Sequence, residues 1–322
     1  MASRMKNKEW KKRIKKLEAT FQLHKMVDHL NDLVTEEAEV ESWPDFQKWF
    51  KQFGGGWIFR GQRVFSWPLL SSFDRAVYQS YDYKNGSTTM PISPVENEEM
   101  LLSEFRKTAH LYHNDVPGRE ESDIHDWFAL MQHHGCPTRF LDWTYSPYVA
   151  LYFAVCDQSN EDGAIWALNI DWAERASVKI NEDWNSLKPE EREHRQKYPV
   201  LVRASLNRRN ERLVTQRGEL LSTSEYNIPI VPTMLSMILH DGGRARENCM
   251  LSRIRIKKER RLEFLWELNR MNIHHASLFP GPDGFSRSLA MSLELKIDSQ
   301  IKELVADSNE FYELHIRRNA GS

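Results

Sequence analysis

The fold of this chain is decided by residues 132–154, which read QHHGCPTRFLDWTYSPYVALYFA. Gly135-Cys136-Pro137 ends a preceding helix, and residues 138–144 have the composition of a short strand. Ser146-Pro147 then opens a new helix, because serine caps helix N-termini well and proline is tolerated at the first helical position. This helix should carry the apolar residues 150–155. Helix, strand and helix therefore follow one another within a single stretch.

Residues 57–62, WIFRGQ, form a second informative segment upstream of this stretch. Their alternation predicts a strand with Trp57 and Phe59 on one face and Arg60 on the other. The charged side chain of Arg60 would then project from one face of the sheet at a defined position. The length of 322 residues allows one large domain or two small ones.

The same local signals predict the remaining elements. A charged, helix-prone stretch at residues 171–197 is interpreted as an insertion or flap over the domain. Helices are expected at 42–53 with Ser42 as the cap, at 96–112, 123–134 and 260–271, and from 285 onward; strands are expected at 164–170, near Leu220 and at 252–256.

Bulk properties exclude several classes of protein. The 322 residues carry a formal charge of -2 and only three cysteines, so neither a disulfide scaffold nor a zinc finger is indicated. The longest apolar run, Tyr148–Cys156, is too short to span a bilayer, and a cytoplasmic location without membrane contact is expected. Glycine-rich phosphate loops of the dehydrogenase and ATPase types do not occur in the sequence.

Three segments have the residue types of a functional site: Phe59–Gln62 (FRGQ), residues 132–154, and Leu278–Gly284 (LFPGPDG). Together they resemble the FRG-domain family, which is named for its aromatic-Arg-Gly opening. The resemblance covers roughly residues 55–290. Membership of this family implies little about a reaction by itself.

The order of these elements is similar to that of ADP-ribosyltransferases. Those enzymes carry an arginine on an early strand, a Ser-Thr-Ser-like strand end before a helix rich in alanine and aromatic residues, and later a glutamate near a glutamine. Arg60, Thr144-Tyr145-Ser146 and Gln216-Arg217-Gly218-Glu219 match these features in order. The resemblance implies an α+β fold with an ADP-ribosyltransferase-like split β-sheet core, flanking helices and an N-terminal helical extension.

This resemblance also divides the chain into three parts. Residues 1–54 would be the N-terminal helical extension, 55–295 the FRG/ADP-ribosyltransferase-like domain and 296–322 a C-terminal tail. Apolar residues recur at spacings of three and four between Trp10 and Val34, which predicts a long amphipathic helix in the extension.

The resemblance implies NAD as co-substrate. Cleavage of the bond between nicotinamide and ribose develops positive charge on the ribose, which a nearby carboxylate stabilises. Arg60 would bind pyrophosphate or ribose through its planar fork, Glu219 would be the acid and Gln216 would position the acceptor. Ser146 and Thr144 would orient the ribose or the acid at a helix N-terminus. The residues expected to contact NAD are Arg60, Gly61, Gln62, His134, Thr144, Ser146 and Tyr152.

The identity of the acid stays open at this point. Transferases of this kind place it two residues after the glutamine, where this chain has Gly218. The candidates are Glu219, Glu211 and Glu225, and a site that uses Gln216 without an acid is a further alternative.

Several of these residues also have a structural interpretation. Arg60 could pair with a carboxylate such as Asp142, and Arg139 could form a buried brace with Asp142 or line a ligand site with it. His133-His134 has no second ligand pair at a usable spacing, so no metal is expected. A cysteine hydrolase using Cys136 beside His134 ranks last, because it has no third member.

These observations leave two classes of function. The first is an ADP-ribosyltransferase, or the related NAD glycohydrolase, acting on RNA, single-stranded DNA or protein; the basic cluster Arg203–Arg217 beside the acceptor segment favours nucleic acid. Uncontrolled activity would harm the host cell, which suggests a toxin or antiviral defence role with a neutralising protein docked on the N-terminal helix. The second is a non-catalytic module whose Arg60 pocket senses a nucleotide.

Overall fold

The computed structural model describes residues 30, 34–80, 94–118, 120, 123–193, 197–207, 210–225, 228–241 and 250–319. The amphipathic helix predicted between Trp10 and Val34, with the partner site proposed on it, lies outside these residues apart from Leu30 and Val34. Both of those side chains are buried.

The strands of the described residues form one seven-stranded sheet in the order β1-β7-β4-β2-β3-β6-β5. Only the pair of β1 and β7 is parallel, and the other neighbours are antiparallel. The strands are β1 Thr35–Val40, β2 Trp57–Gln62, β3 Leu141–Thr144, β4 Gly163–Asn169, β5 Leu201–Arg203, β6 Gly218–Thr223 and β7 Leu251–Ile256.

Helices cover both faces of this sheet, so the predicted α+β class is confirmed. Short 3₁₀ turns occur at Ala109–Leu111 and Lys258–Arg260. The α-helices are α1 Trp43–Phe50, α2 Ser72–Ser80, α3 Pro94–Thr108, α4 Ile124–His133, α5 Pro147–Val155, α6 Ile170–Ser186, α7 Pro189–Glu193, α8 Glu211–Thr215, α9 Ile230–His240, α10 Arg261–Arg270, α11 His275–Leu278 and α12 Pro282–Asn319.

Two predicted helix caps are present. The Ser42 hydroxyl accepts the N–H of Asp45 at 3.3 Å, and the Ser146 hydroxyl accepts the N–H of Val149 at 3.3 Å. Each cap satisfies a backbone donor that has no partner inside the helix. The starts of α1 and α5 were therefore predictable from local sequence.

The two faces of the sheet have different coverings. On one face, called the α6 face here, Ile58, Trp143 and Trp166 pack with residues of α6 and α9. On the other, the α5 face, Phe59 and Ala167 pack with residues of α5, α1 and α10. The alternation predicted for residues 57–62 is confirmed, since neighbouring side chains of β2 enter different clusters.

The sheet is nearly divided between β2 and β3. Strand β2 pairs with β4 along its whole length, and β3 pairs with β6 along its whole length. Between β2 and β3 the register contains one pair, Phe59 with Thr144. Beyond that pair, the backbone groups of β3 that face β2 can take other partners. The Arg60 side chain bonds to one of them, the carbonyl of Asp142.

The sequence interpretation of residues 171–197 as a flap is wrong for α6. Helix α6 buries Trp172, Ala176 and Ile180 in the cluster on the α6 face, so it is part of the core. Its exposed side carries the charges that suggested a flap.

The predicted boundaries at residues 54 and 296 do not divide the structure. Residues 35–50, assigned to the N-terminal extension, supply β1 and α1 to the same sheet and core, and α12 continues through residue 296 without a break.

Candidate functional site

Arg60 lies at the junction where β2 and β3 separate. It stands opposite Trp166 of β4 and so projects on the α6 face. Its Nη1 donates to the backbone carbonyl of Asp142 at 2.6 Å, which replaces a rung of the interrupted β2-β3 ladder. Burial lowers the pKa of the Arg60 guanidinium, while the neighbouring Asp142 raises it and Arg75 lowers it further.

The contact with Asp142 differs from the ion pair considered on sequence. The Asp142 carboxylate accepts the Nε2 proton of Gln132 at 2.6 Å, and the Asp142 residue is exposed. Arg139 pairs with Glu98 instead, and both of those side chains are buried. The brace expected between Arg139 and Asp142 is therefore wrong, and the Asp142 carboxylate does not seal Arg60 into the core.

Two buried donors next to this junction have no hydrogen-bond acceptor among the described residues. They are Arg60 Nε and the indole Nε1 of Trp143. Trp143 is 2% exposed and lies on β3, on the same face of the sheet as Arg60. Since buried polar groups almost always have a partner, these two donors indicate a place for a ligand or water with acceptor atoms.

Glu219 lies in the same row of the α6 face. It stands opposite Trp143 in the β3-β6 register, so Arg60, Trp143 and Glu219 occupy neighbouring strands. The backbones of Arg60 and Glu219 are roughly 10 Å apart at two strand spacings. Glu219 is 7% exposed, accepts the hydroxyl proton of Tyr145 at 3.1 Å and lies 3.7 Å from Arg203 Nη1.

The other two candidate acids lie elsewhere. Glu211 is exposed in the first turn of α8, and Glu225 follows the end of β6. Among the three candidates, Glu219 alone shares a row of the sheet with Arg60. Strand order, which the sequence does not contain, makes this distinction.

Thr144, Ser146 and Gln216 form a separate, connected group. Thr144 donates its hydroxyl to the Gln216 carbonyl at 2.6 Å and accepts the Ser146 N–H at 3.0 Å. The Gln216 side chain is buried and donates to the Leu278 carbonyl at 3.0 Å. Thr144 pairs with Phe59, so its side chain lies on the α5 face and the predicted catalytic set is divided between the two faces.

Three residues predicted to contact NAD have mainly internal contacts. Gly61 faces α5, where any added Cβ atom would overlap the Ala150 carbonyl. The Gln62 amide accepts from Trp166 Nε1 at 2.7 Å and donates to the Pro68 carbonyl at 3.2 Å. Tyr152 is fully buried in the α5-face core.

The Tyr152 hydroxyl has a specific partner there, His275 Nδ1, at 2.9 Å. Burial of both side chains favours a contact between neutral groups. Burial raises the pKa of Tyr152, and burial also lowers the pKa of His275. The structure does not bring Tyr152 to the row that contains Arg60.

His134 is exposed and packs edge-on against His133 and His113, with ring centroids 4.9 and 5.7 Å away. Burial, followed by the charges of neighbouring histidines and Arg212, lowers the pKa of His133. Among the described residues no group of three or more potential ligands could hold a metal ion.

Burial raises the pKa of the Cys136 thiol, which disfavours the thiolate that a cysteine hydrolase needs.

Two cavities bear on ligand binding. A pocket of about 20 Å³ beside Asp142 is lined by Gln132, His133, Arg212 and Gln216, and it has room for a water molecule but not for a nucleotide. A cavity of about 390 Å³ lies beside Asn169, the last residue of β4, and is also lined by Trp172 and Lys179. Neither cavity contains Arg60 or Glu219 in its lining.

Comparison with known proteins identifies the region around the junction. Residues 55–163 match the family model of the FRG domain. The chain carries an FRG domain. No curated protein and no solved structure matched the chain. None of the described helices has both the length and the apolar character needed to cross a membrane.

The matched part of the FRG domain begins just before β2 and ends at the start of β4. It includes Arg60, Thr144 and Ser146, whereas Gln216 and Glu219 lie beyond it. Sequence reasoning gave no role to Gln132 or to Tyr145, although both lie in the central motif. Gln132 contacts Asp142, and Tyr145 contacts Glu219.

Proposed function

We propose that this protein is an ADP-ribosyltransferase that uses NAD to modify a macromolecular acceptor. One observation carries the proposal: Arg60, Trp143 and Glu219 occupy neighbouring strands on one face of the sheet, where β2 and β3 separate. An anion-binding fork and a buried carboxylate thus face the same side at a distance that a dinucleotide can span. The resemblance of Arg60, Thr144-Tyr145-Ser146 and Glu219 to the transferase pattern supports the same function.

The residues present suit an NAD molecule. NAD would supply the pyrophosphate and the nicotinamide leaving group. The Arg60 guanidinium, which stays charged in proteins, would bind phosphate or ribose oxygens. The unpartnered Nε of Arg60 and Nε1 of Trp143 would donate to the same oxygens. Glu219 would stabilise the positive charge that develops on the ribose.

Binding at this place requires the junction to open, because the adjacent pocket of about 20 Å³ is far smaller than a ligand pocket. The single register pair of β2 with β3 offers little resistance to such opening. Arg60 would exchange its bond with the Asp142 carbonyl for bonds to the ligand. In this proposal, the split of an ADP-ribosyltransferase-like core would lie between β2 and β3.

The acceptor is proposed to be a nucleic acid, RNA or single-stranded DNA, with protein as the alternative. Arg212 and Gln216 line the small pocket beside Asp142, and the Arg212 guanidinium lies over the Phe279 ring at 4.5 Å. Arginine paired with an aromatic ring suits phosphate and base contacts. A transferase of this kind fits a toxin or antiviral defence effector located in the cytoplasm and controlled by a neutralising protein.

The test is incubation of purified protein with NAD labelled in the nicotinamide or the adenine. Nicotinamide release and incorporation of label are followed with RNA, single-stranded DNA or lysate protein as acceptor. Arg60→Ala and Glu219→Gln should each lower release at least about a hundredfold, the range seen when one transition-state contact is removed. Arg63→Ala is the matched control, because Arg63 forms an exposed ion pair with Asp157.

The outcomes separate the candidate functions. Release with label on one acceptor supports the transferase, and release without incorporation indicates an NAD glycohydrolase. NAD binding that depends on Arg60, without release on any acceptor, indicates a nucleotide sensor. Release that Arg60→Ala and Glu219→Gln leave unchanged would remove the proposed site.

A further inference from the structure

The Glu219 carboxylate is held by a chain of three polar side chains from different elements. Arg203 Nη1 on β5 donates to the Tyr145 hydroxyl at 3.0 Å, and that hydroxyl donates to Glu219 Oε2 at 3.1 Å. On its other side, Arg203 Nε lies 2.7 Å from the Glu174 carboxylate on α6. Arg203, the first residue of the basic cluster Arg203–Arg217, is part of this network.

The direction of these hydrogen bonds follows from the chemistry of the groups. A guanidinium has donors only, so the Tyr145 oxygen must accept from Arg203. The single Tyr145 proton is then available for Glu219 alone. Burial, followed by the charge of Glu219, raises the pKa of Tyr145, which keeps this proton in place at neutral pH.

We infer that Tyr145 is a positioning residue for Glu219 and that Arg203 in turn orients Tyr145. This inference rests on the proposed function, in which Glu219 is the carboxylate that acts on NAD. Tyr145 fixes the orientation of the carboxylate that, in the proposed function, stabilises the positive centre on the ribose. The charged groups near Glu219 include Arg203 on β5, at 3.7 Å, and Glu174 on α6, which contacts Arg203.

Kinetics of Tyr145→Phe test the positioning role. This variant keeps the ring and removes the hydroxyl, so kcat should fall about tenfold while KM for NAD stays the same, as expected for loss of a contact that acts in the transition state. Tyr148→Phe is the matched control, since Tyr148 packs among Trp43, Phe46 and Phe50.

A measurement without turnover separates this inference from the proposed function. Protein labelled with ¹³C at glutamate side-chain carboxyls is compared with its variants by NMR at neutral pH, and Glu219→Gln identifies the Glu219 signal. Tyr145→Phe should change the chemical shift of that signal because the carboxylate loses its hydroxyl donor, and Arg203→Gln should change it more than Arg203→Lys, which keeps a donor and a charge.

An unchanged Glu219 chemical shift in Tyr145→Phe overturns the positioning role whether or not the protein turns over NAD. A changed Glu219 chemical shift in a protein that never releases nicotinamide keeps the Tyr145 contact with Glu219. The absence of nicotinamide release would then reject the proposed transferase activity, and with it a catalytic role for the contact between Tyr145 and Glu219.

Discussion

Gly61 of β2 lies directly beneath Ala150 of α5, so close that a Cβ atom on Gly61 would overlap the Ala150 carbonyl oxygen. Glycine permits this approach because it has no side chain. Arg60 is the preceding residue, so the contact also fixes the strand that carries the proposed NAD-binding arginine. The glycine of the FRG motif thus has a packing explanation.

Gly61→Ala should lower the free energy of unfolding by about 1–3 kcal/mol, the usual cost of overpacking a core. Urea denaturation followed by circular dichroism measures the change. Gly55→Ala is the matched control, because a Cβ atom there meets nothing within 4 Å, and its effect should stay within about 0.5 kcal/mol. Similar losses in both variants would contradict the packing explanation.

The buried ion pair between Glu98 and Arg139 ties α3 to the segment before β3. Glu98→Ala leaves a buried guanidinium without this partner, so a loss of about 3–5 kcal/mol is expected. The double variant Glu98→Leu, Arg139→Met removes both charges and should recover much of that loss. Unfolding free energies of the single and double variants test this, and strictly additive losses would argue against coupling.

Much of the fold was predictable because its signals are local. The caps at Ser42 and Ser146 and the alternation in residues 57–62 depend on neighbours within a few positions, and all three are confirmed. Helix α6 was misjudged because it lies in a stretch, residues 171–197, in which charged residues are frequent. Its buried side is formed by few residues, such as Trp172 and Ile180, spaced along a mostly polar helix.

The candidate site was less predictable because it depends on strand order. Only the order β2-β3-β6 places Glu219 in the row of Arg60, and the same alternation sends Thr144 to the opposite face. The partner of Arg139 proved to be Glu98, which lies 41 residues away along the chain. No local pattern contains that information.

Substitution of Tyr152 tests whether its hydroxyl stabilises the core or binds NAD. Its hydroxyl contacts His275 inside the core, so Tyr152→Phe should lower the free energy of unfolding by about 1 kcal/mol, the typical net value of one hydrogen bond. Affinity for NAD should stay unchanged in isothermal titration calorimetry. A weaker affinity with unchanged stability would restore the predicted contact between Tyr152 and NAD.

The contact of Glu294 with Arg261 makes part of the stability depend on pH. Arg261 Nη1 and Nη2 donate to the two carboxylate oxygens at 2.6 and 3.1 Å, and this bonding lowers the pKa of Glu294, with Gln158 adding to it. A carboxyl with a lowered pKa in the folded state stabilises the protein above its unfolded pKa of about 4.3. That contribution is lost as the pH falls through the folded pKa.

Glu294→Gln should therefore lower the free energy of unfolding by about 1 kcal/mol at pH 7, a modest value because the pair is partly exposed to solvent. The difference from the native protein should shrink steadily below about pH 4. Urea denaturation between pH 3 and 7 measures both effects, with Glu259→Gln as an exposed control that should change little at any pH. A difference that stays constant over this range would mean that Glu294 contributes through packing, since packing of the side chain does not depend on its charge.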